Sequence, residues 1–145
     1  MAEKKLQTFA NHTRWDPLFH FLALPIFVIA VGVGIVHFIL HPSLHTGAFF
    51  VLSVAALVAV IKSRLSAIKV QDRVIRLEER LRLGSLLSEP LHSRIPELTE
   101  GQLVALRFAS DAEAPKLVER ALSEKLSPAD IKKAIQNWRP DYWRV

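Results

Sequence analysis

From Leu18 to Ile61 the chain carries no Asp, Glu, Lys or Arg, and one proline-bearing turn at His41-Pro42 divides that stretch in two. Few folds accept such a run. Residues 18–40 supply 23 uncharged positions, about 35 Å of helix, enough to cross a hydrocarbon layer with some tilt. Residues 44–61 supply 18, about 27 Å, just enough for a second crossing. In lipid each backbone N–H and C=O must be satisfied within the segment, so both runs are read as helices. Pro42 cannot continue a helix and pushes His41 out of the α region. The segment "HPSLHTG" is therefore a tight turn, and the two spans form an antiparallel hairpin.

Charge sets the expected orientation. The turn has no Lys or Arg, whereas Lys4, Lys5 and Arg14 precede the first span and Lys62, Arg64, Lys69, Arg73, Arg76, Arg80 and Arg82 follow the second. The positive-inside rule then puts both termini in the cytoplasm. The net charge is +5, and residues 94–145 are nearly neutral, with nine basic and eight acidic side chains. The excess thus sits beside the spans, where Lys62, Arg64 and Lys69 can meet anionic headgroups at about 1 kcal/mol each. Trp15 stands where an interfacial aromatic belongs. The first 16 residues include Asp16 and the aromatic Trp15, and the apolar run that follows exceeds a usual signal-peptide core, so the N-terminal segment is expected to be retained rather than removed as a signal peptide. There is no cysteine, which excludes disulfides, thiolate metal sites and cysteine nucleophiles.

Within the hairpin, Ala30 and Gly34 form one small-xxx-small pair and Ala55, Ala59 and Ser63 form another. Such faces let helices approach closely. They fit packing between the two spans or against another membrane subunit, the first being the simpler reading. Pro25 lacks an N–H and is expected to kink the first span unless the helix starts late. His37 and His41 stand four apart, a metal-compatible spacing on a helix, but Pro42 is expected to break the geometry there. His41 and His45 fall in the turn, and His20 lies one turn inside the opposite edge. His20 and His37 are too far apart to share one ligand. Either could be an axial ligand for haem or a (bacterio)chlorophyll. The second span has no histidine after His45 to complete a bis-histidine haem, so the simpler reading is interfacial polar residues, with no metal site. Asp16, beside Arg14, reads as an interfacial ion pair or helix cap.

Residues 62–83 contain neither Gly nor Pro and are expected to continue the second span as a membrane-proximal amphipathic helix that ends at Gly84. Val70, Val74, Leu77 and Leu81 recur at four, three and four, a short heptad stripe. The simpler reading packs this stripe on the chain's own C-terminal helices; the sharper one makes it a coiled-coil contact with a second copy or another subunit. Residues 84–98 carry two prolines and read as a linker. Residues 99–145 read as a C-terminal helical module with three starts: Thr99 with Gln102, Ser110 with Glu113, and Ser127-Pro128 with Asp130. The helices are expected near 100–109, 111–126 and 128–138. Trp138, Tyr142 and Trp143 are expected to fold back onto the bundle or dock on a partner. Short helices at these spacings resemble helix-turn-helix modules, but a near-neutral module is a poor footprint for nucleic acid, and none is expected as a partner.

The stretches "FANHTRWDPLFHF" (9–21), "LVALRFASDAEAPKLVERAL" (103–122) and "IKKAIQNWRPDYWRV" (131–145) resemble a family of uncharacterised bacterial two-span membrane proteins, a domain of unknown function. That resemblance implies a two-span topology and a bacterial origin, and it implies no activity; with the charge rule, the expected location is the bacterial inner (cytoplasmic) membrane. The expected architecture is all-α: a cytoplasmic arm (1–16), a transmembrane hairpin (17–61), the membrane-proximal helix (62–83), the linker (84–98) and the C-terminal module (99–145). No GxSxG, HExxH, P-loop or paired intramembrane carboxylates appear, so no enzymatic activity is expected. The expected role is an accessory or scaffold subunit in contact with lipids, a larger membrane complex, respiratory or photosynthetic, or a second copy. The alternative is a cofactor-bearing subunit that ligates haem or pigment through His37 or His20.

Overall fold

A computed structural model describes residues 7–11 and 15–141, and every ordered element in it is helical. α1 is Leu24–Leu40, α2 Leu44–Leu86, α3 Glu100–Leu106, α4 Ala114–Ser123 and α5 Pro128–Ala134. A π-helical turn, Leu18–Ala23, precedes α1, and a 3₁₀ helix, His92–Glu97, precedes α3. The described residues divide into two compact units, one of residues 15–69 and one of residues 70–141 with 7–11, and α2 runs through both.

In the first unit, Leu18–Leu40 and α2 are each long and apolar enough to cross a membrane. Pro25 falls in the first turn of α1, where its missing N–H matters least. The widened π turn just before it absorbs the local mismatch: Leu24 N–H donates to the carbonyl of Phe19, five residues back. At the other end, His41 N–H still donates to His37 O at 2.9 Å before the chain leaves the helix. The expected break at His41 thus comes one bond later, and the His37 and His41 rings lie 5.3 Å apart. The turn closes with reciprocal caps: Ser43 Oγ accepts from Thr46 N–H at 3.2 Å, and Thr46 Oγ1 accepts from Ser43 N–H at 3.0 Å. Gly34 is the buried residue of α1. A Cβ there would stand 3.2 Å from both Phe50 Cα and Ser53 Oγ of α2, so glycine permits the close approach.

The second unit has the hydrophobic core. Leu83 and Leu87 meet Ile95, Leu98, Leu103, Leu106, Phe108, Val118 and Ile131 there. Segment 84–98 is therefore not a loose linker: α2 continues through Gly84 to Leu86, and the 3₁₀ helix delivers Ile95 to the core. Thr99 and Gln102 form the expected capping box, and Gln102 also reaches the carbonyl of Leu126 at 3.0 Å. Ser127 caps α5 by accepting from Asp130 N–H. Ser110 and Glu113 depart from expectation. Glu113 does not turn back to Ser110; its carboxylate accepts from the N–H groups of Gln136 and Asn137, each at 3.1 Å. That grip holds the bend at residues 136 and 137 out of the helix, so α5 stops at Ala134, with Ile135 extended, instead of running to Trp138. After the bend, Trp138 forms an isolated antiparallel bridge with Ala109, and Arg139 N–H donates to Phe108 O at 2.7 Å.

Candidate functional site

The heptad stripe reverses the simpler reading of its role. Val70, Val74, Leu77 and Leu81 are 62%, 48%, 60% and 68% exposed, whereas Ile75, Glu79 and Leu83 of the same helix are 7%, 2% and 0% exposed. At 100° per residue these are opposite faces. The core of the second unit is built on the Ile75–Leu83 face, and the stripe is left uncovered. Sequence alone obscured this because the buried face has a carboxylate and a guanidinium among its apolar residues.

That charged pair is held in several ways. Arg82 Nη1 lies 2.8 Å and 3.1 Å from the two Glu79 oxygens. Arg82 Nε donates to Asp111 Oδ1 at 2.8 Å and Nη2 to the carbonyl of Ala109 at 2.7 Å. One side chain thus ties α2 to the loop before α4. Burial raises the Glu79 carboxyl above its ordinary range, and the Arg82 guanidinium opposes that shift. Glu79 and Arg82 line a cleft of about 440 Å³ with Arg107, Arg139 and Asp141. Arg107, itself buried, pairs with Asp141 at 3.1 Å and stacks over Phe108 at 4.3 Å. The Asp141 backbone in turn exchanges two hydrogen bonds with the Gln7 side chain, at 2.7 Å and 3.0 Å.

At the open end of the hairpin, Asp16 Oδ2 lies 3.5 Å from Arg64 Nη1, and Asp16 Oδ1 accepts from Phe19 N–H at 3.3 Å. The expected cap is there, with Arg64 as the ion-pair partner; Arg14 lies outside the described residues. Arg64 also sits 5.6 Å from the Phe19 ring centroid, so it is turned toward its own chain, while Lys62 and Lys69 are exposed. His20 Nδ1 is 2.8 Å from the Asp16 carbonyl oxygen. The same Nδ1 lies 3.2 Å from the Asp16 backbone N–H, so it donates to the carbonyl in one tautomer, leaving the Nε2 lone pair free, and accepts from the N–H in the other. Trp15 packs edge-on to the same ring, centroids 4.9 Å apart.

The remaining sequence-predicted residues are dispersed. Gly34 packs inside the hairpin and Ala30 is half-buried, but Ala55 and Ala59 face outward. Trp138 packs on Phe108 with ring centroids 5.1 Å apart; Tyr142 and Trp143 lie outside the described residues. Among the described residues, no three His, Asp or Glu side chains gather where they could hold a metal ion. No curated protein and no solved structure matches this chain. A family model does match, over residues 1–145, and the chain belongs to that family of unknown function, DUF6526.

Proposed function

We propose that this protein is an integral membrane accessory subunit. The Leu18–Leu40 and α2 hairpin anchors it in a bacterial inner membrane with both termini cytoplasmic, and the C-terminal module presents a docking face there. The observation that carries this reading is the Gln7–Asp141 clasp. It joins the segments that flank the two spans in sequence, which an even number of crossings permits and a single crossing forbids. The outward small residues Ala55 and Ala59 suit close contact with another span of a larger respiratory or photosynthetic complex. On this reading the chain catalyses no reaction, binds no nucleic acid and works by holding partners together.

Alkaline carbonate washing and single-cysteine labelling test the anchor. The expected result is a chain retained in the membrane, with His45→Cys labelled from the outer face and Ser123→Cys from the cytoplasmic face. Labelling of both from one face overturns it. Native electrophoresis after gentle solubilisation tests the partner: migration well above twice the 16.4 kDa chain mass is expected, and migration at the mass of the chain alone counts against a scaffold.

A second reading has one observation behind it: His20 Nδ1 lies 2.8 Å from the Asp16 carbonyl oxygen, and in the tautomer that donates this bond Nε2 is left to make a single bond to haem or a chlorophyll-type pigment. Visible absorption that co-purifies with the chain and disappears in His20→Ala would favour it; a colourless preparation from a pigment-replete membrane removes it.

A further inference from the structure

We propose that the uncovered stripe of α2 is a parallel dimer seam, and that its occupant is the same stripe of a second copy of this chain. With Val74 and Leu81 at heptad positions a, Val70 and Leu77 fall at d. The buried Ile75, Glu79 and Leu83, together with the bracing Arg82, then occupy b, f, c and b. The C-terminal module therefore packs on the outer face of the heptad, and Val70, Arg73, Val74, Leu77, Glu78, Arg80 and Leu81 at a, d, e and g are exposed toward a partner helix.

The flanking charges select both the partner and its direction. Position g carries Arg73 and Arg80, and position e carries Gln71 and Glu78. In a parallel pair, a g residue faces the e′ residue five positions further along the other helix. Arg73 of each copy then meets Glu78 of the other, twice by symmetry. In an antiparallel pair g faces g′, and the arginines would repel. Among the described residues, no ion pair within the chain engages Arg73, Glu78 or Arg80. On the accessory-subunit reading, on which this step rests, two copies inserted with the same topology send α2 out of the same membrane face in the same direction. Parallel pairing is then the only one available.

Two heptads are short for a free coiled coil. Here the helix is already formed as part of the 43-residue α2, and confinement to one membrane raises the effective concentration of the second copy. Both reduce the ordering cost of association.

The chain has no cysteine, so single-cysteine cross-linking in native membranes reads the seam directly. Leu77→Cys, at an exposed position outside the core, is expected to give a disulfide-linked dimer on mild oxidation. Lys69→Cys, on the other side of the helix, is expected to give at least about tenfold less. In the Leu77→Cys background, a copy with Arg73→Glu co-expressed with a copy with Glu78→Arg has only attractive cross-pairs in the mixed dimer. That mixed dimer is expected to exceed either homodimer by roughly tenfold. Failure of Leu77→Cys to cross-link, or a mixed dimer at its statistical share, overturns the seam. Carbonate washing of the same membranes separates the two claims. A retained chain that gives no dimer sinks the seam alone. A released chain that still cross-links sinks the anchor and supports the seam.

Discussion

Glu79 is the residue whose environment differs most from its type. It is 2% exposed, and Arg82 bonds to both its oxygens. Removing one member of such a buried pair leaves the other charged and unsatisfied, so Arg82→Met should destabilise the C-terminal module by about 3 kcal/mol or more. The double variant Glu79→Leu/Arg82→Met should lose clearly less than the sum of the two single changes, as read by chemical denaturation of the detergent-solubilised chain. The pH dependence has a definite sign. Glu79's native pKa is raised above 4.5, so between that value and its native pKa the folded state binds more protons than the unfolded one. The contribution of Glu79 to stability therefore falls as pH rises through that window. Glu97 and Glu124, lowered by hydrogen bonds from Arg94 and Arg120, act in the opposite sense. Comparing wild type with Glu79→Gln isolates the effect: the Gln variant should gain relative stability as pH rises. A flat difference would show that folding leaves the Glu79 pKa unshifted.

At the scale of elements, the hairpin depends on how closely α1 and α2 approach at Gly34. A side chain there would press on the Phe50 backbone, which cannot move aside, whereas Gly32 has nothing within 4 Å of its would-be Cβ. Gly34→Ile should weaken the hairpin by about 1–3 kcal/mol, while Gly32→Ile should leave it unchanged. Cysteine cross-linking across the two spans would report the difference. Local chemistry explains which elements could be foreseen. Thr99 with Gln102 and Ser127 with Asp130 act within one turn, so their caps are written in adjacent letters. Ser110 and Glu113 have the same spelling, but Glu113 is taken by the backbone of residues 136 and 137, a tertiary partner that no local pattern announces. The same limit applied to α2. It has two apolar stripes, and the tidier one, Val70 to Leu81, is the exposed one. The buried face carries Glu79 and Arg82, types that solvent normally claims, and only their shared anchorage to Ala109 and Asp111 explains why they face inward.

For the whole molecule, the apolar run of residues 18–61 made the two long helices legible at once, because its length and lack of charge fit helices long and apolar enough to cross a membrane. The site was less legible. Asp16 finds Arg64 at a separation of 48 residues, and Gln7 finds Asp141 at 134; neither pairing has a periodicity to reveal it. Gln7→Ala removes both hydrogen bonds of the clasp and should cost about 1–2 kcal/mol. Hydrogen exchange should become faster at Arg139 and Asp141 and stay unchanged at Leu103 and Leu106. Equal acceleration throughout the core would show that the clasp supports the entire module instead of its edge.

The clasp also has a place in time. Gln7 leaves the ribosome on the order of ten seconds before Asp141 at ordinary synthesis rates. Both apolar helices are complete before Gln7 can meet its mate, so on the proposed membrane reading the clasp cannot guide their insertion. On the proposed two-span reading it acts as a latch, closing last on a chain whose crossings are already decided, and a chain with only one of the two helices inserted would be left with the latch open.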